Sequence, residues 1–221
     1  QVSSRFVPAA SRDMSGRRWA RRGSSEQAAP PEQAARPAEG QPVSVVWHKW
    51  SDLRLTDHEP LVRAHTLPGQ VLHVHLVELP LLAGRSRVGR VPRCGPCRAA
   101  FWRGAVADLS RRLEERGQRL LVRAVESPAE FFAALCSRLR VGTVFAHREF
   151  CDEELLVEAA VRRALEARGA RLETSWGALT VHHIDDLGFD PADPQQMPAY
   201  KGEFNSIAKR RPVRRVLPIP S

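Results

Sequence analysis

The sequence predicts an α/β domain: a doubly wound parallel sheet of five strands with helices on both faces. From Val43 onward, short β-branched or apolar runs alternate with longer segments of helical periodicity, the signature of a parallel sheet wrapped by helices. Two of those segments stop at Gly117 and Gly169, a residue type favoured where helices end. At 221 residues, 43% hydrophobic and 27% charged, the chain holds one such domain with tails, and a large two-domain enzyme does not fit.

The elements follow in order. The first strand is VSVVW (43–47), and a helix over His58 to His65 comes next with Asp57 as its cap candidate. The second strand is VLHVHLVEL (71–79). Ala99 to Arg116 forms a helix with Phe101, Val106, Leu109 and Leu113 near one inward face. After strand RLLVRAV (119–125), Ser127 caps a helix from Pro128 to Leu139 that turns Phe131, Phe132 and Leu135 inward. Strand TVFAHREF (143–150) leads to a helix from Asp152 to Arg168 carrying Leu155, Leu156, Ala159, Val161 and Leu165. Its first-turn acids and terminal Arg suit the helix dipole. The last strand is RLETSW (171–176).

Residues 1–42 lack periodic apolar positions and read as a disordered basic tail, and residues 194–221 as an exposed, disordered linker. The net charge of +9 resides mostly in those ends. Residues 1–42 carry 7 basic against 4 acidic side chains, residues 201–221 carry 6 against 1, and the middle carries 21 against 20. Whole-domain attraction to phosphate is therefore not implied. No apolar run reaches the roughly 18 residues a membrane span needs, so no membrane partner is expected. Four cysteines and no signal peptide point to a reducing, intracellular setting. Nucleus, cytoplasm and organelle stay open: KRRPVRR (209–215) is of nuclear-signal type, and the Arg- and Ser-containing start is of transit-peptide type.

In an open parallel sheet, ligands bind at the carboxyl ends of the strands. Those ends are Lys49 to Pro60, Pro80 to Arg98, His147 to Glu154 and Trp176 to Asp186. Neither GxGxxG nor GxxxxGK[ST] occurs, which disfavours a phosphate-cradling enzyme. Glu149 and His147, at the end of the fourth strand, are the candidate ligand contacts. Asp52, Arg54 and Asp57 read as structural, and no catalytic residue is assigned. No metal site is expected. His182 and His183 beside Asp185 and Asp186 point to opposite faces of an extended segment, and His73 and His75, which share a face, have no third ligand and read as satisfied core histidines. The window Leu79 to Ala107 holds five or more arginines and no acid, read as a solvated loop or a partner surface. Cys94-Gly95-Pro96-Cys97 is a CxxC at a helix start, where thiol pKa values fall, but it follows an Arg-rich loop and not an apolar strand.

These segments together resemble the N-terminal domain of the photolyase and cryptochrome family, most closely its cryptochrome DASH branch. The residues are Asp52-Leu53-Arg54 with Asp57, Glu59, Pro60 and Leu61; Arg93-Cys94-Gly95-Pro96 with Arg98, Phe101, Val106, Ala107, Asp108 and Leu109; His147-Arg148-Glu149 with Glu153 and Glu154; and Trp176-Gly177 with His182 to Leu187, Phe189 and Asp190. The match spans residues 43–193.

The resemblance implies a Rossmann-like domain preceding a helical domain that holds FAD and makes most of the DNA contact. It also implies an antenna site, often for methenyltetrahydrofolate, with Glu149 and His147 as antenna contacts. The family repairs pyrimidine dimers by light, in single-stranded DNA for DASH proteins, or senses blue light. The chain is expected to stop at the linker toward the flavin domain and to be inactive alone. Three departures stand out: Lys49-Trp50-Ser51 lacks the family arginine, Phe101-Trp102-Arg103-Gly104 replaces Phe-Leu-x-Glu, and Tyr200 to Asn205 alters Tyr-Thr-x-Phe-Arg-Lys. The resemblance makes the acid replaced by Gly104 the pterin contact, so the antenna is expected to be lost. The competing readings are a thiol oxidoreductase using Cys94 and Cys97, and a vestigial interaction domain without ligand.

Overall fold

The computed structural model describes residues 41–86, 89–177, 180–190 and 193–220; nearly all of the tail expected over residues 1–42 lies outside them. Strands β1 (Val43–His48), β2 (Val71–Glu78), β3 (Leu120–Val125), β4 (Val141–His147) and β5 (Arg171–Ser175) pair in parallel in the order β3-β2-β1-β4-β5. Among the described residues six α-helices accompany them: α1 (Glu59–Thr66), α2 (Leu79–Leu82), α3 (Pro96–Glu114), α4 (Pro128–Arg138), α5 (Asp152–Glu166) and α6 (Lys201–Ala208).

Strand β1 is central, and all six of its residues are buried. Its side chains alternate between faces. Val43, Val45 and Trp47 join Phe132 of α4 with Val161 and Leu165 of α5. Val46 joins Leu61 and Ala64 of α1 with Leu109 and Leu113 of α3. The sheet is thus covered by α4 and α5 on one side and by α1 and α3 on the other. Trp47 and Phe132 meet edge to face with centroids 5.2 Å apart, a pairing that adds to their area burial.

The helix ends obey local chemistry. The Ser127 hydroxyl accepts the Glu130 N–H at 3.4 Å, as expected of a cap. Gly117 and Gly169 stop α3 and α5 with φ of 71° and 73°, a left-handed conformation that costs a residue without Cβ least. Helix α3 starts at Pro96, three residues before the expected start, because proline at a first turn forfeits no hydrogen bond.

Several expectations are corrected. Asp57 does not cap α1; His58 does, its Nδ1 accepting the Leu61 N–H at 3.0 Å. Phe101, expected on a common face with Val106, Leu109 and Leu113, is 79% exposed, and Leu156 of α5 is 68% exposed. The C-terminal segment, expected as an exposed linker, makes contacts with the domain. After α6 it returns across the domain, where Arg214 binds both oxygens of Asp186 at 2.6 and 2.9 Å. Asp57 and Leu217 exchange two bonds there, the Asp57 N–H to the Leu217 carbonyl at 3.0 Å and the Leu217 N–H to Asp57 Oδ1 at 3.1 Å. Ile219 then packs on the α1/α3 core. Asp57, held at φ 54°, serves this docking, which leaves the cap to its neighbour.

Candidate functional site

The chain runs β1 to β2 to β3 in one direction and places β4 and β5 on the other side of β1. The crevice at the carboxyl ends of β1 and β4 is therefore the topological switch point, where open sheets bind ligands. The segment leaving β1 fills it. His48 follows Val46 toward α1 and α3, Lys49 follows Trp47 toward α5, and Trp50 to Arg54 form the rim.

On the α1/α3 side, Asp52 is 3% exposed. Its Oδ2 receives His147 Nδ1 and lies 3.0 Å from His58 Nε2, and Arg54 Nε is 3.5 Å from Oδ1. Burial by itself raises the Asp52 pKa, but the hydrogen bond from His147 and the close approach of the His58 ring outweigh it and hold the carboxyl well below its usual range. Burial lowers the His58 pKa against the pull of Asp52. Because His58 Nδ1 accepts the Leu61 amide, the neutral ring carries its proton on Nε2. The row continues inward: His48 Nε2 is 3.3 Å from His73 Nδ1, and His75 Nδ1 donates to the His48 carbonyl at 2.8 Å. Burial, then repulsion from His65 and His58, pushes His73 down to about 4, and burial also lowers His48 and His75. The expectation for His73 and His75 holds for burial and not for satisfaction, since Nε2 of each has no hydrogen-bond partner among the described residues.

On the α4/α5 side, Lys49 is 5% exposed, pairs with Glu158, sits 3.8 Å from Glu149 and stands 4.8 Å over the Trp47 ring. Glu158 also accepts the Glu149 N–H at 2.7 Å. Burial raises the Glu149 pKa; Lys49 opposes the shift while Glu158 and Glu154 add to it. Glu78, at the end of β2, is pushed up to about 7 by burial, against Lys49 and with the help of Glu149 and Glu154. Sequence reasoning missed Glu158 and Glu78. The available signal for Glu158 was its place between Leu155 and Val161 on the inward stripe of α5.

A cleft of about 410 Å³ opens between the rim after β1 and helix α3. Trp50, Leu53, Leu81, Leu82, Phe101, Trp102 and Ala105 give it apolar walls, with Ser51, Asp52, Arg54, Cys94 and Arg98 as its polar groups. The Arg98 guanidinium lies 4.2 Å over the Trp50 ring, and the buried Trp102 Nε1 has no partner among the described residues. Flat apolar walls with few polar groups suit a planar aromatic ligand.

Glu149 and His147 do not line this cleft; they stand behind it. His147 holds Asp52, and the Ser51 hydroxyl reaches Glu149 at 3.4 Å. Gly104 lies on α3 outside the lining, and a β-carbon there meets nothing within 4 Å. Cys94 is half-buried and Cys97 exposed, and both are free. The CxxC follows a loop pinned by an Arg85–Pro92 bridge and does not directly follow a strand in sequence. The arginines of that loop are engaged in part, Arg93 with Glu153 and Arg98 with Trp50. His183 caps a short turn, accepting the Asp185 N–H at 3.2 Å.

Residues 44–207 match the DNA photolyase family model. A chloroplastic/mitochondrial cryptochrome DASH of Oryza sativa subsp. japonica is 36% identical over 161 residues, which cover 66% of this chain and 27% of the relative. The protein of the same description from Solanum lycopersicum is 32% identical over 199 residues, covering 82% and 33%. The crystal structure of a Synechocystis cryptochrome superposes with a TM-score of 0.74 at 27% identity, covering 83% of this chain and 37% of that one. The chain thus spans about a quarter to a third of the length of these curated relatives.

Proposed function

The chain belongs to the DNA photolyase family, and from that premise we propose that it serves as the antenna-type α/β domain of a cryptochrome-DASH-like blue-light flavoprotein. In this reading the whole protein uses FAD to repair pyrimidine dimers in single-stranded DNA under light, or to sense blue light. FAD and most of the DNA contact belong to a helical domain, and the α/β part has no catalytic residue of its own. The names of the rice and tomato relatives place them in chloroplast and mitochondrion, and an organellar setting belongs to the reading.

The observation that carries it is the aromatic cleft between the carboxyl end of β1 and helix α3, walled by Trp50, Phe101 and Trp102. An antenna chromophore held there supplies light absorption. The protein's part is to stack the planar ring beside Trp50 and Arg98 and to exclude water with Leu53, Leu81 and Leu82. The walls fit a flat ring, but the residues offer little to the polar N–H edge of a pterin. The acid that the resemblance puts at position 104 is a glycine, and Glu149 is engaged by Lys49 and Ser51 behind the cleft. Methenyltetrahydrofolate is therefore expected to bind weakly, and Glu149 and His147 to act by holding the rim.

The test is uptake of a planar chromophore by the purified chain, with methenyltetrahydrofolate and flavin mononucleotide as probes. Tryptophan fluorescence and near-ultraviolet absorption are the readouts. Quenching that saturates and is lost in Trp50→Ala is the expected result. No uptake of either probe leaves the ligand-free interaction domain as the better reading. Disulfide-reducing activity lost in Cys97→Ser would favour the thiol oxidoreductase.

A further inference from the structure

We propose that Asp52, His58 and His147 form a binding site for one zinc-type divalent ion at the inner end of the cleft. Three segments bring the donors together: the loop after β1, the capping residue of α1 and the last residue of β4. One carboxylate oxygen, one nitrogen of His58 and one of His147 all lie within 4.8 Å of one another, and all three residues are buried.

Hydrogen bonding alone does not account for the arrangement. His58 Nε2 is 3.0 Å from Asp52 Oδ2, yet it lacks hydrogen-bond alignment, and neither it nor Asp52 Oδ1 has a hydrogen-bond partner among the described residues. Oδ1 has only the ion-pair contact of Arg54 at 3.5 Å. A fully buried imidazole nitrogen aimed at a carboxylate that it does not bond calls for a third body. A shared cation satisfies both imidazoles and the carboxylate at once.

Two imidazoles and one carboxylate suit zinc and its first-row neighbours, whereas calcium and magnesium take sets made of oxygen. Asp52 also lines the cleft, so the open side of the site faces the cleft and leaves a coordination position for water or ligand. Each neutral imidazole keeps its single proton on the nitrogen away from the metal. For His58 that nitrogen is Nδ1, which then ceases to accept the Leu61 N–H. Metal binding is thus coupled to the α1 cap.

Cobalt(II) titration of the chelator-treated chain, followed by its visible ligand-field absorption, tests the site. One equivalent is expected, displaced by zinc, with a shift of the Leu61 amide resonance. His58→Asn keeps a good helix cap while removing the ligand, so its fold is preserved. His58→Asn and His147→Gln should each weaken binding by more than the roughly 10–100-fold that loss of an outer-shell partner costs. His183→Gln should leave binding unchanged. Absence of stoichiometric cobalt uptake, or uptake that persists in both His58→Asn and His147→Gln, overturns the proposal.

Discussion

Two regions at the carboxyl ends of the same strands are built on opposite principles. On the α1/α3 face, one carboxylate, Asp52, sits among the imidazoles of His58 and His147, with His48, His73 and His75 behind. On the α4/α5 face, one ammonium, Lys49, sits among Glu149, Glu158 and Glu78. The two keystones are three residues apart, and the alternation of the strand from His48 to Lys49 parts the faces. On the histidine face burial lowers the pKa of His48, His58, His73 and His75. On the glutamate face burial, with the charge of Glu149 and Glu154, keeps Glu78 close to protonation. The two faces should therefore answer pH in opposite directions.

The largest effects should come from removing a keystone. Lys49→Ala and Asp52→Ala each leave buried partners uncompensated and should cost about 3–5 kcal/mol by denaturant unfolding at pH 7. Acid separates them. In acid the Lys49→Ala loss should shrink, because Glu149, whose pKa burial already raises, takes up a proton sooner than an ordinary glutamate. The Asp52→Ala loss should persist, because Asp52 stays ionised. Equal attenuation of both would break the comparison.

Next comes the histidine row. His73 titrates at 6.5 unfolded and about 4 folded, so the unfolded chain binds more protons between those values. The stability it contributes is present above pH 6.5 and is lost as pH falls toward 4, on the order of 3 kcal/mol. His73→Leu should flatten that limb of the stability curve.

Glu78 runs the other way. Its carboxyl moves from 4.5 to about 7 on folding, so its contribution is present below pH 4.5 and is lost as pH rises through 7. Glu78→Gln should stabilise the chain at pH 8 by on the order of 1–2 kcal/mol, discounted for partial exposure, and do nothing at pH 4.5. The smallest effect belongs outside both faces. Arg214→Ala breaks an exposed pair with Asp186 and should cost under about 1 kcal/mol.

Most of the fold was legible because it rests on periodicity. All five strands lie where β-branched runs announced them, and Ser127, Gly117 and Gly169 end helices by local chemistry. The family was legible in Asp52-Leu53-Arg54, Arg93-Cys94-Gly95-Pro96 and His147-Arg148-Glu149. What escaped depends on distant partners. Asp57 reads as a cap until the returning strap around Leu217 occupies it. Phe101 fits a helical stripe, yet α3 turns it to solvent beside the cleft. Glu158 and Glu78 acquire meaning only once Lys49 is folded between them. His58 joins Asp52 and His147 across a separation of about 90 residues that no spacing rule reaches.

The most direct test of the antenna reading is binding of flavin mononucleotide to the parent chain and to Trp50→Ala. Trp50 walls the cleft beneath the Arg98 guanidinium, so its removal takes away a stacking face. An affinity loss of about tenfold in Trp50→Ala, equivalent to about 1.4 kcal/mol, is the expected result. Equal affinity of the parent chain and Trp50→Ala contradicts a chromophore cleft between the rim of β1 and α3.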